Sequence, residues 1–178
     1  MLKDIATIIG IIAIAESLLI YASVKRERIL VFKLISDVLW FTNYVLLGMY
    51  TGAILNVVAV CREIVFYNRS RHKWADNIAW FFVFVTLTLI SPVLSWAGFV
   101  SLLPAIGSVF AVSSFYCKNE IVMKTFAFPA QGLWLSYNLL SKNWSGLASC
   151  IITLLSIIIG MTREFWVRKK QKQEKKVK

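Results

Sequence analysis

Three ionisable residues lie deep inside long apolar runs: Glu16, Asp37 and Arg62. Charged groups so placed are costly, pair with one another, and mark solute pathways or proton relays. Glu16 lies twelve residues into its run from one side, about 18 Å along a helix. Arg62 lies eleven residues in from that same side, about 16 Å. Asp37 lies eight residues in from the other side, about 12 Å, at a similar level. The spacing therefore predicts one ionic layer shared by three neighbouring helices. Glu63 follows Arg62 and is expected to point about 100° away from it. Two readings stay open for the layer. It is the polar wall of a site, with a proton-coupling carboxylate at Glu16 or Asp37, or it is an ion pair locking the helices, since buried pairs alone are weak evidence of function.

A second group could hold a ring-shaped polar solute. Trp40, Tyr44, Trp134 and Tyr137 offer aromatic faces, and Asn43, Asn56 and Asn138 offer amides that orient a ligand by hydrogen bonding. For Trp40 and Trp134 the competing reading is the aromatic belt at a membrane interface. That belt accounts for Tyr50, Trp74, Trp96 and Trp144. An unpaired amide in hydrocarbon costs several kcal/mol, so Asn56 faces a pocket or glues two helices. Cys61, Cys117 and Cys150 show no paired spacing, and His72 stands alone in a basic loop. No Ser/His/Asp set, hydrolase carboxylate pair or phosphate-binding glycine loop is visible. The expectation is a protein that is not an enzyme, with no metal and no cofactor.

The elements that must position these residues are membrane helices. Of 178 residues, 58% are hydrophobic and 16% charged, with mean hydropathy +0.69. Crossing about 30 Å of hydrocarbon takes about 20 apolar residues in a helix. Seven such stretches fit, at 4–23, 29–47, 51–68, 77–94, 98–116, 122–140 and 145–167. The start lacks the basic region and small-residue cleavage site of a signal peptide, so the first stretch is expected to span.

The chain also repeats itself. Leu39-Trp40-Phe41-Thr42-Asn43-Tyr44 returns as Leu133-Trp134-Leu135-Ser136-Tyr137-Asn138, 94 positions later and without a gap. At that offset Tyr50-Thr51-Gly52 meets Trp144-Ser145-Gly146, and Arg69 meets Arg163. Glu16, Asp37 and Arg62 fall on Phe110, Gln131 and Ser156, so the layer is ionic in one copy and neutral in the other, with Gln131 as its polar member. Internal repeats in membrane proteins commonly place the site between the copies. The expected plan is a first three-helix repeat (1–74), a linker helix (75–96), a second three-helix repeat (97–167) and a basic tail (168–178). An odd number of spans would invert the second copy; the linker turns it upright, giving parallel repeats about an axis along the membrane normal.

Lys25, Arg26, Arg28, Arg69, Arg71, Lys73, Lys118 and the tail gather on one side, and Lys3 and Lys142 on the other. Positive charge marks the cytoplasm. The N-terminus is expected outside and the C-terminus inside. The net charge of +11 is thus a topology signal with no nucleic-acid partner, and the tail favours anionic lipid headgroups. Gly10 and Gly107, with Ala6 and Ala111, give small-residue spacing suited to close helix contact. Pro104 and Pro129 are placed inside the fifth and sixth helices, where a missing backbone donor often marks a hinge.

This all-α plan of seven transmembrane helices in 3+1+3 parallel repeats resembles the SWEET and PQ-loop superfamily. Within it, Gly52-Ala53-Ile54-Leu55-Asn56 and Leu102-Leu103-Pro104-Ala105-Ile106-Gly107 resemble the YgjV family of bacterial inner-membrane proteins. The resemblance implies a sugar-like solute held by Trp and Asn side chains, with Trp40, Asn56 and Trp134 at compatible positions. Cys150 stands where the repeat of Asn56 leads one to expect Asn, and the first repeat lacks the prolines found at Pro104 and Pro129. The expected function is an inner-membrane transporter or facilitator of a small polar solute bound between the halves. The alternatives are a vitamin or nucleoside facilitator, or a receptor or scaffold that moves nothing, since fold does not fix function. A homo-oligomer is left open.

Overall fold

The computed structural model describes residues 2–20 and 25–177, with side chains described for 4–16, 20, 25–163, 165 and 166. The described secondary structure is helical: α1 (Leu2–Ile20), α2 (Arg26–Leu46), α3 (Tyr50–Asn68), α4 (Ala79–Leu94), a 3₁₀ turn (Phe99–Ser101) running into α5 (Leu102–Tyr116), α6 (Glu120–Leu140) and α7 (Trp144–Val177). Residues 21–23, expected to end the first helix, lie outside the described residues. Among the described residues, four stretches are long and apolar enough to cross a membrane: Arg26–Leu46, Tyr50–Asn68, Phe99–Tyr116 and Trp144–Arg163. Helix α4 is apolar but shorter, at 16 residues. The backbone of α7 continues through the expected tail to Val177, because Lys, Gln, Glu and Arg are good helix formers. The tail's side chains, and with them its lipid contacts, lie outside the described residues.

Helices α1, α2, α3, α5, α6 and α7 close a ring in which each packs on the next, and α7 returns to α1. Helix α4 sits outside, against α3 and α5. Within the ring the helices of each expected repeat, α1–α3 and α5–α7, stay side by side. The ring's order is α1–α2–α3–α5–α6–α7, so α1 leans on α7 and α3 on α5. Small residues allow these approaches. A Cβ on Gly10 of α1 would meet Ser145 of α7 at 2.7 Å, and one on Gly107 of α5 would meet Trp134 and Leu133 of α6 at 3.1 Å.

The two ends of the ring differ. At one end α2 turns into α3 and α6 into α7, through the same backbone. Gly48 (φ 70°) and Lys142 (φ 56°), 94 positions apart, both take the left-handed conformation that closes a helix. Met49 N–H donates to Tyr44 O, and Asn143 N–H to Asn138 O, each at 2.9 Å. The starts of α2 and α6 agree as well: Lys25 has φ −89°, ψ 124° and Asn119 φ −90°, ψ 124°. Only Asn119 adds a side-chain cap, accepting from Ile121 and Val122 N–H.

The opposite end is basic and is tied by arginines. Arg26 donates to the carbonyls of Phe66 (3.3 Å), Phe115 (2.9 Å) and Cys117 (3.2 Å), so one guanidinium joins the last turns of α3 and α5. Arg69 donates to Tyr116 O, lies 3.7 Å above the Tyr116 ring, and pairs with Asp76 at 2.7 Å. A cation at a helix C-terminus fills carbonyls that have no partner within the helix.

Apolar packing separates into two clusters. One, toward the basic end, gathers Ile20, Leu30, Phe66, Phe84, Phe115 and Met123. The other, toward the turn end, gathers Ala13, Trp40, Tyr44, Ala53 and Tyr137. Polar residues lie between them.

Candidate functional site

Inside the ring is a cavity of about 70 Å³. One ordered water needs about 10–15 Å³ of such space, so the cavity has room for a few waters or the polar part of a small solute. Its lining draws on matching positions of both copies: Lys33 and Ala127, Ser36 and Ala130, Asp37 and Gln131, Trp40 and Trp134, Tyr44 and Asn138, Leu55 and Ser149, Asn56 and Cys150, Ala59 and Thr153. Each pair is 94 apart. Arg62, Ser108 and Phe115 complete the wall among others. Trp40, Asn56, Trp134, Asn138, Cys150, Asp37, Arg62 and Gln131, all singled out from the sequence, meet here.

The turn-end wall is aromatic. Tyr44 and Trp134 stack with ring centroids 5.8 Å apart, and Trp40 lies 5.9 Å from Tyr44. The Tyr44 hydroxyl donates to Asn138 Oδ1 at 3.0 Å. Asn138 Nδ2 donates to Trp134 O at 2.9 Å and lies 3.6 Å from the Cys150 sulfur. Glycine gives these side chains their room: a Cβ at Gly52 would touch the Tyr44 ring at 3.1 Å, and one at Gly146 would sit 2.3 Å from Asn138 Oδ1. Asn56 is 5% exposed and donates to Gly52 O at 2.8 Å.

Lys33, Asp37 and Arg62 form the other wall, and each is held in an ion pair. Lys33 holds Asp37 Oδ1 one turn away on α2. Arg62 holds its neighbour Glu63 through both carboxylate oxygens, at 2.9 and 3.0 Å, and lies 5.1 Å from the Phe115 ring centre. Glu63 was expected to point away from Arg62. A guanidinium is long enough to fold back along its own helix, and a fully buried carboxylate draws it there. Glu16 is not among the residues that line the cavity. Its two carboxylate oxygens are buried without a hydrogen-bond partner, and Lys33 and Asp37 are the charged groups that bear on it.

Asn43 is fully buried but does not reach the cavity. It donates to Ala6 O at 2.8 Å and accepts from Asn143 at 3.3 Å, which ties α1, α2 and the α6–α7 turn. Pro104 lies in the first turn of α5, directly after the 3₁₀ turn Phe99–Ser101. Pro129 lies inside α6.

Sequence reasoning missed Lys33, Ser36, Ser108, Ser149 and Thr153. Ser149 and Thr153 flank Cys150 at −1 and +3, so the helical face through Cys150 carried a usable signal. Ser108 had none. Among the described residues no group of His, Cys, Asp and Glu could hold a metal ion. The cysteines are free, with Cys61 exposed and Cys150 buried.

A ring of apolar helices around a cavity lined by both polar and apolar side chains defines an all-helical membrane protein. A family model described as a bacterial inner membrane protein, Imp-YgjV, matches residues 4–169. The chain therefore belongs to the YgjV family of bacterial inner membrane proteins. No curated protein and no solved structure matches it.

Proposed function

We propose that the protein is a transporter or facilitator for a small polar, sugar-like solute, which binds in the cavity within the ring. The observation that carries the reading is the cavity's lining by paired positions of the two copies. Tyr44 hydrogen-bonds to its own counterpart, Asn138. A residue can meet its counterpart only near the axis that relates the copies, so the axis runs along the cavity. Aromatic faces with a few convergent amides suit a ring-bearing polar solute.

The finer plan is part of the proposal. Seven spans in 3+1+3 parallel repeats, of the SWEET and PQ-loop kind, account for the matched turns at Gly48 and Lys142. They also account for the matched packing of α1 on α7 and α5 on α3. The basic end faces the cytoplasm, with the N-terminus outside, because of its excess of Lys and Arg. Access alternates as α1–α3 and α5–α7 rock along the α1/α7 and α3/α5 seams, with Pro129 the hinge.

The test is uptake into proteoliposomes from a panel of sugars, nucleosides and other small polar solutes. Saturable uptake of at least one solute, lost in Asn56→Leu and Trp134→Ala, is expected. Folded protein that moves none of the panel overturns the reading. The stacked Tyr44–Trp134 pair favours flat rings as a second choice. Thermal stabilisation by nucleosides and not by sugars decides for the vitamin or nucleoside type.

A further inference from the structure

The layer beside the cavity holds three carboxylates and two cations. Arg62 is engaged by Glu63, and Lys33 by Asp37. What remains is the whole Glu16 carboxyl and the second oxygen of Asp37; neither has a hydrogen-bond partner. Asp37 is 1% exposed and lines the cavity. From α2, Lys33 and Asp37 are the charged groups that bear on Glu16, and the Ser36 hydroxyl is its polar neighbour. From α7, the other helix packed on α1, no charged group among the described residues bears on it.

We propose that Glu16 is a proton-binding site, and that its proton decides whether Asp37 or Glu16 holds the Lys33 ammonium. The physical reason is charge. Two complete ion pairs plus a third bare carboxylate would leave one uncompensated negative charge away from water, which is far costlier than a neutral acid. With a proton on one Glu16 oxygen the layer is neutral, and Lys33 rests on Asp37 as the structure shows. When water takes the proton away, the Glu16 carboxylate competes for Lys33. Its flexible four-carbon stem lets the ammonium change partner. Asp37 then faces the cavity with both oxygens open. A cation or an amine-bearing solute can take the place that Lys33 left, so such a solute and the Glu16 proton exclude one another. Proton-linked transport of this kind rests on the transport reading above; the proton site itself does not.

The experiment is infrared difference spectroscopy of the whole protein in nanodiscs, titrated between about pH 5 and 9. A band from one buried protonated carboxyl is expected; it shifts with isotope-labelled glutamate and disappears in Glu16→Gln. Lys33→Met removes the shared ammonium, so a second band, from Asp37, is expected beside the first. Labelling separates glutamate from aspartate but not Glu16 from the buried Glu63. Should Glu16→Gln fail to fold, the conservative Glu16→Asp decides, because its band should no longer shift with labelled glutamate and should shift with labelled aspartate. Absence of any such band, a band unmoved by labelled glutamate, or one that survives in Glu16→Gln overturns the proposal. In proteoliposomes the amine-bearing members of the panel should move faster as the solute-side pH rises, and this dependence should vanish in Glu16→Gln. Uptake indifferent to pH overturns the coupling. The infrared band with no uptake at all overturns transport and leaves the proton site standing.

Discussion

Replacing Gly146 by alanine should destabilise the protein, while the same change at its counterpart Gly52 should be nearly neutral. At Gly146 the new methyl would lie 2.3 Å from Asn138 Oδ1, 2.6 Å from its Cγ and 2.9 Å from Asn143 Nδ2. No real carbon sits so close, so Asn138 must swing away. It then loses the bond from the Tyr44 hydroxyl and the bond to Trp134 O. Hydrogen bonds between membrane helices average about 0.6 kcal/mol, with a maximum near 1.7, and overfilling a packed site adds about 1–3 kcal/mol. Alanine returns about 1 kcal/mol through helix propensity. The net expectation is a loss of about 1–4 kcal/mol. At Gly52 the methyl would meet the flat Tyr44 ring at 3.1–3.2 Å, a contact that a few tenths of an ångström relieve, so strain and propensity roughly cancel. Unfolding in mixed micelles, followed by circular dichroism, measures both variants. Gly146→Ala matching or exceeding the stability of the unaltered protein would refute the packing account of the axis.

Other consequences are open to measurement. Arg26→Ala removes three bonds to the ends of α3 and α5, and amide exchange over residues 112–118 should quicken by about 5- to 30-fold, on about 1–2 kcal/mol of lost local stability. Lys142→Gly relieves a left-handed lysine and should stabilise by about 0.5–1 kcal/mol in thermal unfolding, whereas Gly48→Ala should lose about 1 kcal/mol. The hydrogen bond from Arg69 holds the loop carboxylate Asp76 below its ordinary range, with Lys118 adding to the effect. A depressed folded value stabilises above the unfolded carboxylate range and is lost as pH falls through the folded one. The thermal midpoint should therefore hold from neutral pH down to mild acid and fall below it, and Asp76→Asn should remove that part of the fall.

Long periodic apolar runs made the helices legible, and the polar and aromatic residues inside them brought eight of the cavity's 22 lining residues into view. Trp40, Trp134, Asn56 and Asn138 were readable because polar and aromatic groups inside apolar helices have few places to go. What sequence spacing hid was side-chain reach. A position along a helix fixes depth and direction only to the Cβ, and Arg62 is long enough to turn back onto Glu63. Lys33 lies two turns into α2 from the basic end, and its stem carries the ammonium to Asp37 one turn further on. Helix starts were hidden too: α5 begins at Leu102, after a 3₁₀ turn. The ring could not be read from pattern, because an apolar stripe does not say which neighbour it meets.

The five ionisable groups of the layer, Glu16, Lys33, Asp37, Arg62 and Glu63, correspond at the offset of 94 to Phe110, Ala127, Gln131, Ser156 and Ile157. Two separate, identical three-helix chains could not build such a layer. Whatever one chain contributed its mate would contribute too, doubling the buried charge. Nor could Tyr44 find an Asn opposite it; it would find another tyrosine. Joining the two stretches in one polypeptide is what lets the ring carry all five ionisable groups of that layer on α1, α2 and α3 alone.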